Sequence, residues 1–324
     1  MKLAFKTLAI IFTSLLLFSC SNDSSEPTDD SVKDDYDFLA VTFAGKINKI
    51  GNNSGKITPY AEFEGLTSNT INLNAVTSNS DKIFLVEYYS PSTKLFVFDK
   101  KTKKTISKSI VLPNEAVGSY PSISSLIWND SKKALYGTII SNTYISPVNN
   151  VSYFIKIDPE TFEISYLGLS FDQTASTSIF LNGNKLYSSY SNQGTYEIDI
   201  DNNKAQKVLF NNAAFSFSKP SVISTNTAYC ITNKTGSIGN TIAKINLSNY
   251  TYEDLLPNDQ LGYAYLNGQG YIDKNSNEYV CCVQKGTEEF VLLKFNISTK
   301  AYKYFALKSN TLIDSNFIIV DQVN

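Results

Sequence analysis

Histidine and arginine are both absent from the 324 residues, so all 28 basic side chains are lysines. The missing imidazole removes the commonest general base and metal ligand at neutral pH. The missing guanidinium removes the planar fork that holds phosphate, sulfate or a carboxylate through two hydrogen bonds at once. An excess of charge of one sign is lacking too: the 28 lysines face 30 acids, a net charge of −2. Without a basic patch no nucleic-acid partner is expected. A long apolar run is also missing. The stretch Leu8 to Phe18 has eleven residues, whereas a helix crossing a bilayer needs roughly 20.

That short stretch follows Lys2 and Lys6 and ends at Ser19-Cys20, the layout of an export signal. Leu17-Phe18-Ser19-Cys20 resembles a bacterial lipobox. The resemblance implies that residues 1–19 are a removed signal peptide and that Cys20 becomes the acylated N-terminus, with outer-membrane lipid as its partner. The competing reading is an ordinary secretory signal with an incidental cysteine. Residues 21–37 carry Asp23, Glu26, Asp29, Asp30, Asp34, Asp35 and Asp37 among Ser, Pro and Thr. Too little apolar surface is present there to offset chain entropy, so 20–36 is expected to be an acidic, flexible tether. Its early acids resemble the signal that sends Bacteroidetes-type lipoproteins to the cell surface. Asp30-Ser31-Val32 fits the short O-glycosylation motif of that phylum, with Ser31 as acceptor.

From Phe38 onward no sustained helical periodicity appears. Short alternating segments such as Tyr153–Ile157, Thr195–Ile200 and Leu292–Asn296 are separated by Asn, Gly, Ser and Asp, which predicts strands. These segments align. An apolar residue precedes Asp, Asn or Gly, with Thr, Asn or Ser three residues on: Gly51/Ser54, Asp99/Thr102, Asp158/Thr161, Asp199/Asn202, Asn246/Asn249 and Asn296/Thr299. Their spacings are 48, 59, 41, 47 and 50 residues, with a mean of 49. Five of the six place a charged residue two positions earlier: Lys49, Lys156, Glu197, Lys244 and Lys294. An Asx or hydroxyl side chain bonded to nearby backbone lets one strand reverse into the next. A second landmark runs in parallel through Leu39, Phe84, Tyr136, Tyr187, Tyr229 and Tyr279. Repeats of this length with about four strands each predict propeller blades.

The two ends complement each other. The first repeat opens at Phe38 without an innermost strand, and a spare apolar segment, Phe317-Ile-Ile-Val320, remains after the last repeat. The expected fold is therefore all-β: a six-bladed propeller over 37–324 with four-stranded blades, closed by the C-terminal strand completing the first blade. Closure removes the exposed strand edge. Together with the Leu-Tyr-like and Ile-Asp-x-x-Thr-like blade motifs, this arrangement resembles the YVTN/YncE-type propeller lipoproteins of Bacteroidetes.

Candidate chemistry is sparse. Cys230, Cys281 and Cys282 are expected to be buried thiols, since packed sheets stand about 10 Å apart and bridged Cα atoms about 5.5 Å. No metal site is expected, because no Cys-x-x-Cys accompanies the missing histidines. Asp199-Ile-Asp201-Asn-Asn203 opens like a calcium loop, but Lys204 stands where Gly belongs and Phe210 where a bidentate Glu belongs. Sialidase-like rings need Arg, haem, copper and lyase rings generally need His, and quinoprotein rings rely on recurring Trp where this chain has only Trp128. No enzyme and no cofactor are therefore expected. The blade-to-blade connections and the 141–152 insertion share one face and would present Tyr120, Tyr144, Phe171, Phe215, Phe217, Tyr263 and Tyr265. Long loops on a rigid scaffold are the usual place for binding. The expectation is a non-catalytic surface lipoprotein that binds a glycan, nutrient, metal chelator or protein there, beside an outer-membrane transporter. The alternatives are a structural or assembly subunit of the envelope and, third, a hydrolase or lyase using carboxylates, which would need acids clustered at the central funnel; the competing view of the rings is that they merely pack the loops.

Overall fold

The computed structural model describes residues 25–26, 32–89, 92–114, 121–142, 150–171, 176–190, 194–233, 240–256, 268–285, 289–307 and 316–323. Six antiparallel sheets are arranged as blades. Blades 2 to 5 take four consecutive strands each, from the inside outward: Val76–Ser78 to Lys104–Ile110, Ser122–Asn129 to Ile164–Phe171, Ser176–Asn182 to Lys204–Val208, and Ser218–Ser224 to Thr251–Asp254. Blade 6 runs from Tyr271–Asp273 to Tyr302–Ala306, and the two-residue strand Ser25–Glu26 adds in parallel along its outer edge. In blade 1 the innermost strand is Phe317–Val323, which pairs antiparallel with Asp37–Thr42 from Asp37 opposite Val323 to Thr42 opposite Phe317. The ring closes as the two ends of the chain implied.

One apolar cluster fills each of the six joints between neighbouring blades. Phe38 and Ala40 pack with Val280 and Cys282 of blade 6, while Leu39 and Val41 pack with Ile83 and Leu85 of blade 2. Because successive side chains on a strand point to opposite faces, a blade flanked on both sides must be apolar on both. This is why the second strands read as unbroken runs, Phe38-Leu-Ala-Val41 and Ile83-Phe-Leu-Val86, all of them buried. The second landmark of the sequence, Leu39 through Tyr279, lies in the second strand of each blade and is buried throughout.

The turn landmarks join the third and fourth strands. Asp99 Oδ1 accepts the Thr102 N–H at 2.7 Å, Asp158 Oδ1 that of Thr161 at 3.0 Å, Asp199 Oδ1 that of Asn202 at 3.1 Å, and Asn296 Oδ1 that of Thr299 at 2.8 Å. Bonds from Thr102, Thr161 and Asn202 hold the carboxyls of Asp99, Asp158 and Asp199 below the usual range. The fifth residue of every turn has a positive φ: Gly55, Lys103, Phe162, Asn203, Tyr250 and Lys300. Only one of these is glycine, so the turn's own hydrogen bonds hold side-chain-bearing residues in a region they seldom adopt.

Blade 1 breaks the rule at Gly51, which has no side chain to cap its turn. Asp34 supplies the carboxylate from outside the repeat. Its Oδ1 accepts the N–H groups of Asn53 and Ser54 at 2.7 and 2.8 Å, and its Oδ2 accepts the Ser54 hydroxyl at 2.6 Å. A Cβ on residue 51 would collide with that carboxylate, so the glycine makes room for the cap. The Asn52 side chain also accepts the Asp35 N–H at 3.0 Å, and the Tyr36 hydroxyl donates to Asp273 of blade 6. Burial and that acid push the Tyr36 hydroxyl up to about 12. The end of the segment expected as a free tether is thus docked on the blade 1 turn and the joint with blade 6. Physically, a charged segment poor in apolar groups has been ordered by charge-assisted hydrogen bonds instead of burial.

Replacing Asp34 with Ala should destabilise the fold by about 1–2 kcal/mol in chemical denaturation. Gly51→Asp alone should also destabilise, by collision and like charge. In a D34A/G51D protein the cap is restored within the turn, so the two changes should show a favourable coupling of about 1 kcal/mol; simple additivity would show that Asp34 does not act as the missing turn residue.

Candidate functional site

A ring of this kind has a turn face, carrying the connections between first and second and between third and fourth strands, and a loop face, carrying the rest. Near the loop face the axis is bridged by neutral groups. Asn74 of blade 2 accepts the Gly268 N–H at 2.6 Å, and Ser178 of blade 4 donates to the Gly268 carbonyl at 3.3 Å. Gly268 leads into blade 6, so three non-adjacent blades meet there. Its φ of +89° and the closeness of Ile318 leave no room for a side chain.

Beside this bridge, between blades 2 and 3, the connection from blade 1 covers a pocket of about 210 Å³ lined by Ser68, Thr70, Asn72, Val86, Glu87 and Ile123, among others. Glu87 sits near the loop-face end of the second strand of blade 2, Lys82–Tyr89, and is only 3% exposed. Its Oε1 accepts three hydrogen bonds: from the Thr67 N–H at 2.9 Å, the Thr67 hydroxyl at 3.0 Å and the Ser68 N–H at 2.6 Å. Its Oε2 is buried with no hydrogen-bond partner among the described residues. Sequence reasoning missed Glu87, because it lies inside an apolar strand away from any motif. The one local signal was an acid interrupting the run Ile83-Phe-Leu-Val86.

The aromatic residues singled out from the sequence fare differently. Phe215 and Phe217 are 4% and 2% exposed and belong to the core between blades 4 and 5. Phe215 stacks on Tyr252 with centroids 4.5 Å apart, and Phe217 meets Phe180 edge-on at 5.1 Å. Buried rings of this kind cannot stack on a ligand, so these two leave the candidate face: the short 209–217 connection folds inward, where apolar area is hidden from water. Phe171 is partly buried against Phe154 and Tyr196 at 5.3 and 4.5 Å and is likewise a packing residue. Tyr120, Tyr144, Tyr263 and Tyr265 lie outside the described residues, as do Cys20 and Ser31.

A larger cleft of about 390 Å³ opens on the turn face between Asn182–Lys185, Asp199–Asn202 and Asn226. Its acids are committed to their neighbours. Both oxygens of Asp199 hold its own turn through Asp201 and Asn202, and Asp201 pairs with Lys132 and Asn184. This is the segment that opened like a calcium loop, and its carboxylates do not converge. Among the described residues no group of three or more Cys, Asp or Glu side chains is placed to hold a metal ion.

In blades 1, 4 and 6 the charged residue two positions before the turn pairs with the start of the second strand. Lys49 meets Asp37 and Lys294 meets Glu278, both at 2.9 Å, and in blade 4 the signs are exchanged, Glu197 meeting Lys185 at 2.7 Å. Glu197 also accepts the hydroxyls of Tyr187 at 2.7 Å and of Tyr250, from blade 5, at 2.6 Å. It staples two blades. Burial by itself would raise its carboxyl, but the bonds from Lys185, Tyr250 and Tyr187 outweigh this and hold it below the usual range.

Cys230, Cys281 and Cys282 are buried free thiols. Cys281 faces blade 5 and Cys282 faces blade 1. Burial raises all three, Cys281 to about 12 and Cys282 to about 11, with Lys219 opposing the rise at the latter two. Lys219, on the inner strand of blade 5, is itself wholly buried. Desolvation lowers its ammonium, against the opposite pull of Cys282 and Cys281.

No protein-family model matches the chain, and no curated protein matches it in sequence. Solved structures do resemble it. TolB from Acinetobacter baumannii superposes with a TM-score of 0.56 at 11% identity, over 89% of this chain and 65% of that one. An oligogalacturonate lyase in complex with manganese gives 0.53 at 11% identity, over 85% and 80% of the two chains. The oligogalacturonate lyase from Vibrio parahaemolyticus gives 0.51 at 13%, over 86% and 81%. At these identities the likeness is one of fold, a six-bladed propeller.

Two expectations follow. Glu197→Gln should lower stability at neutral pH. Because the folded carboxyl titrates below its unfolded value, the contribution is present above the unfolded value of about 4.3 and is lost as pH falls through the lower folded value; the gap between wild type and variant in thermal melts should narrow as pH falls below about 4.3. The thiols of Cys230, Cys281 and Cys282 should react with iodoacetamide at least about a hundredfold more slowly in the native protein than in denaturant, as read by intact mass.

Proposed function

We propose that the chain is a non-catalytic lipoprotein, anchored to the outer membrane through Cys20, whose loop face binds a small ligand at the cell surface. The observation that carries this reading is the loop-face pocket in which Glu87 is held by three hydrogen bonds on one oxygen and has its other oxygen buried and, among the described residues, unpaired. A buried polar atom without a partner costs about 1–3 kcal/mol. A stable fold retains such a group most readily where a ligand completes it. Toward its N-terminus the chain passes from Asp34 on the turn face to Ser25–Glu26, parallel to Tyr302–Ala306 on the outer edge of blade 6. Tyr302–Ala306 starts at the turn face, so Ser25 lies on the turn-face side of Glu26, which supports an anchor at Cys20 that leaves the loop face pointing outward.

Two of the similar rings are lyases, and their activity does not transfer on a shared fold. This chain has neither imidazole nor guanidinium anywhere, and the side chains that bridge to Gly268, Asn74 and Ser178, are neutral. Catalysis at the pocket would have to rest on one carboxylate.

Intact cells treated with added protease should lose the wild-type protein from their surface, whereas a Cys20→Ser variant should be shed or retained inside and should lack the mass of the acyl chains. With the purified protein, small ligands that raise the melting temperature should slow amide exchange over residues 63–75 and 121–129. Protection confined to the turn face, or turnover of any stabilising compound, would sink the reading.

A further inference from the structure

The Glu87 pocket has a chemical character that narrows its ligand, and the narrowing rests on the loop-face reading above. The pocket sets one carboxylate among hydroxyl and amide groups, some of them already engaged within the protein. The Ser68 hydroxyl is already given to the Thr70 carbonyl, and the Asn72 amide donates to the Ser124 carbonyl at 2.9 Å. The remaining oxygen of Asn72 accepts the Asn74 N–H at 3.0 Å. What is left over is the second oxygen of Glu87, in a side chain 3% exposed, together with the hydroxyls of Thr70 and Ser122, which make no hydrogen bond among the described residues.

No lysine among the described residues pairs with Glu87. Lys94 stands directly opposite Glu87 on the next strand, Ser92–Asp99, yet the two make no ion pair. The rest of the wall is mixed, with Ile71, Val86 and Ile123 apolar and Ser68, Thr70, Asn72 and Ser122 polar. A divalent cation needs several oxygen ligands, and the described walls bring only this one carboxylate. A neutral sugar could meet the Thr70 and Ser122 hydroxyls but would bring no positive charge to the carboxylate. A group with N–H donors, a positive charge and a short aliphatic body answers both the unpaired oxygen and the apolar part of the wall.

We propose that this pocket binds a primary alkylammonium group: a protonated amine directed at Glu87 Oε2, with its carbon chain against Ile71, Val86 and Ile123. Glu87 thereby has two jobs on two oxygens. One holds the 67–68 backbone and so shapes the pocket; the other is the recognition group.

The experiment uses the purified full chain and three probes: n-butylammonium, 1-butanol of the same length without the charge, and methyl glucoside as a neutral polyol. Calorimetry and amide exchange over residues 63–75 are read together. Butylammonium should bind saturably and slow exchange at 67–68, with butanol at least about tenfold weaker. Glu87→Gln keeps the size of the side chain and should abolish that preference. Should E87Q disturb the connection it anchors, Ser122→Leu offers an independent check, since it fills the pocket from blade 3 without touching the anchor and should block butylammonium alone. Equal binding of amine and alcohol, or an amine preference that survives E87Q in a folded protein, overturns the assignment. Stronger protection by methyl glucoside overturns the ammonium class while leaving the loop-face reading standing. No change at 63–75 with any probe overturns the proposed pocket, and the surface-exposure experiment then decides the wider reading separately.

Discussion

A sheet that is apolar on both faces cannot leave either face in water, and this constraint organises the whole molecule. Each blade hides its two faces against its two neighbours, so the arrangement has no natural end and must close on itself. Closure falls to the pairing of Phe317–Val323 with Asp37–Thr42. It unites the first and last parts of the chain in one blade and removes the last free inner edge. The six apolar clusters, one per joint, are the energetic expression of the same demand.

Polar side chains then fix what burial leaves loose. The turns between third and fourth strands repeat one hydrogen-bond pattern around the ring, and blade 1 keeps the pattern with an acid borrowed from the preceding segment. Asp34 in the place of a missing Asx residue shows that the geometry of the turn, more than the identity of the residue at its first position, is what the fold maintains. Glu197 acts similarly at the joint of blades 4 and 5. A buried acid is tolerable there because one lysine and two tyrosine hydroxyls surround it.

Glu87 is the counterpart. Half of its carboxylate is satisfied with three donors and the other half with none among the described residues. That asymmetry sets it apart from Glu197, both of whose oxygens are engaged.

Composition and spacing alone determined a good deal: the absence of imidazole and guanidinium chemistry, the sixfold repeat, the Asx turns and the strand left over for closure. These are local or periodic properties, set by which residues can cap a turn or lie on a strand, and they survive reading one segment at a time. Tertiary structure decided the rest. Phe215 and Phe217 look identical in sequence to exposed loop aromatics, and only the inward fold of their connection buries them. Asp34 reads as part of a solvated tether until Gly51, seventeen residues away, is seen to leave it a place. Glu87 becomes distinctive only when the loop from blade 1 lies across it and occupies one of its oxygens. Each of these depends on which distant backbone comes to rest beside a side chain, a matter of packing that no window of the sequence contains.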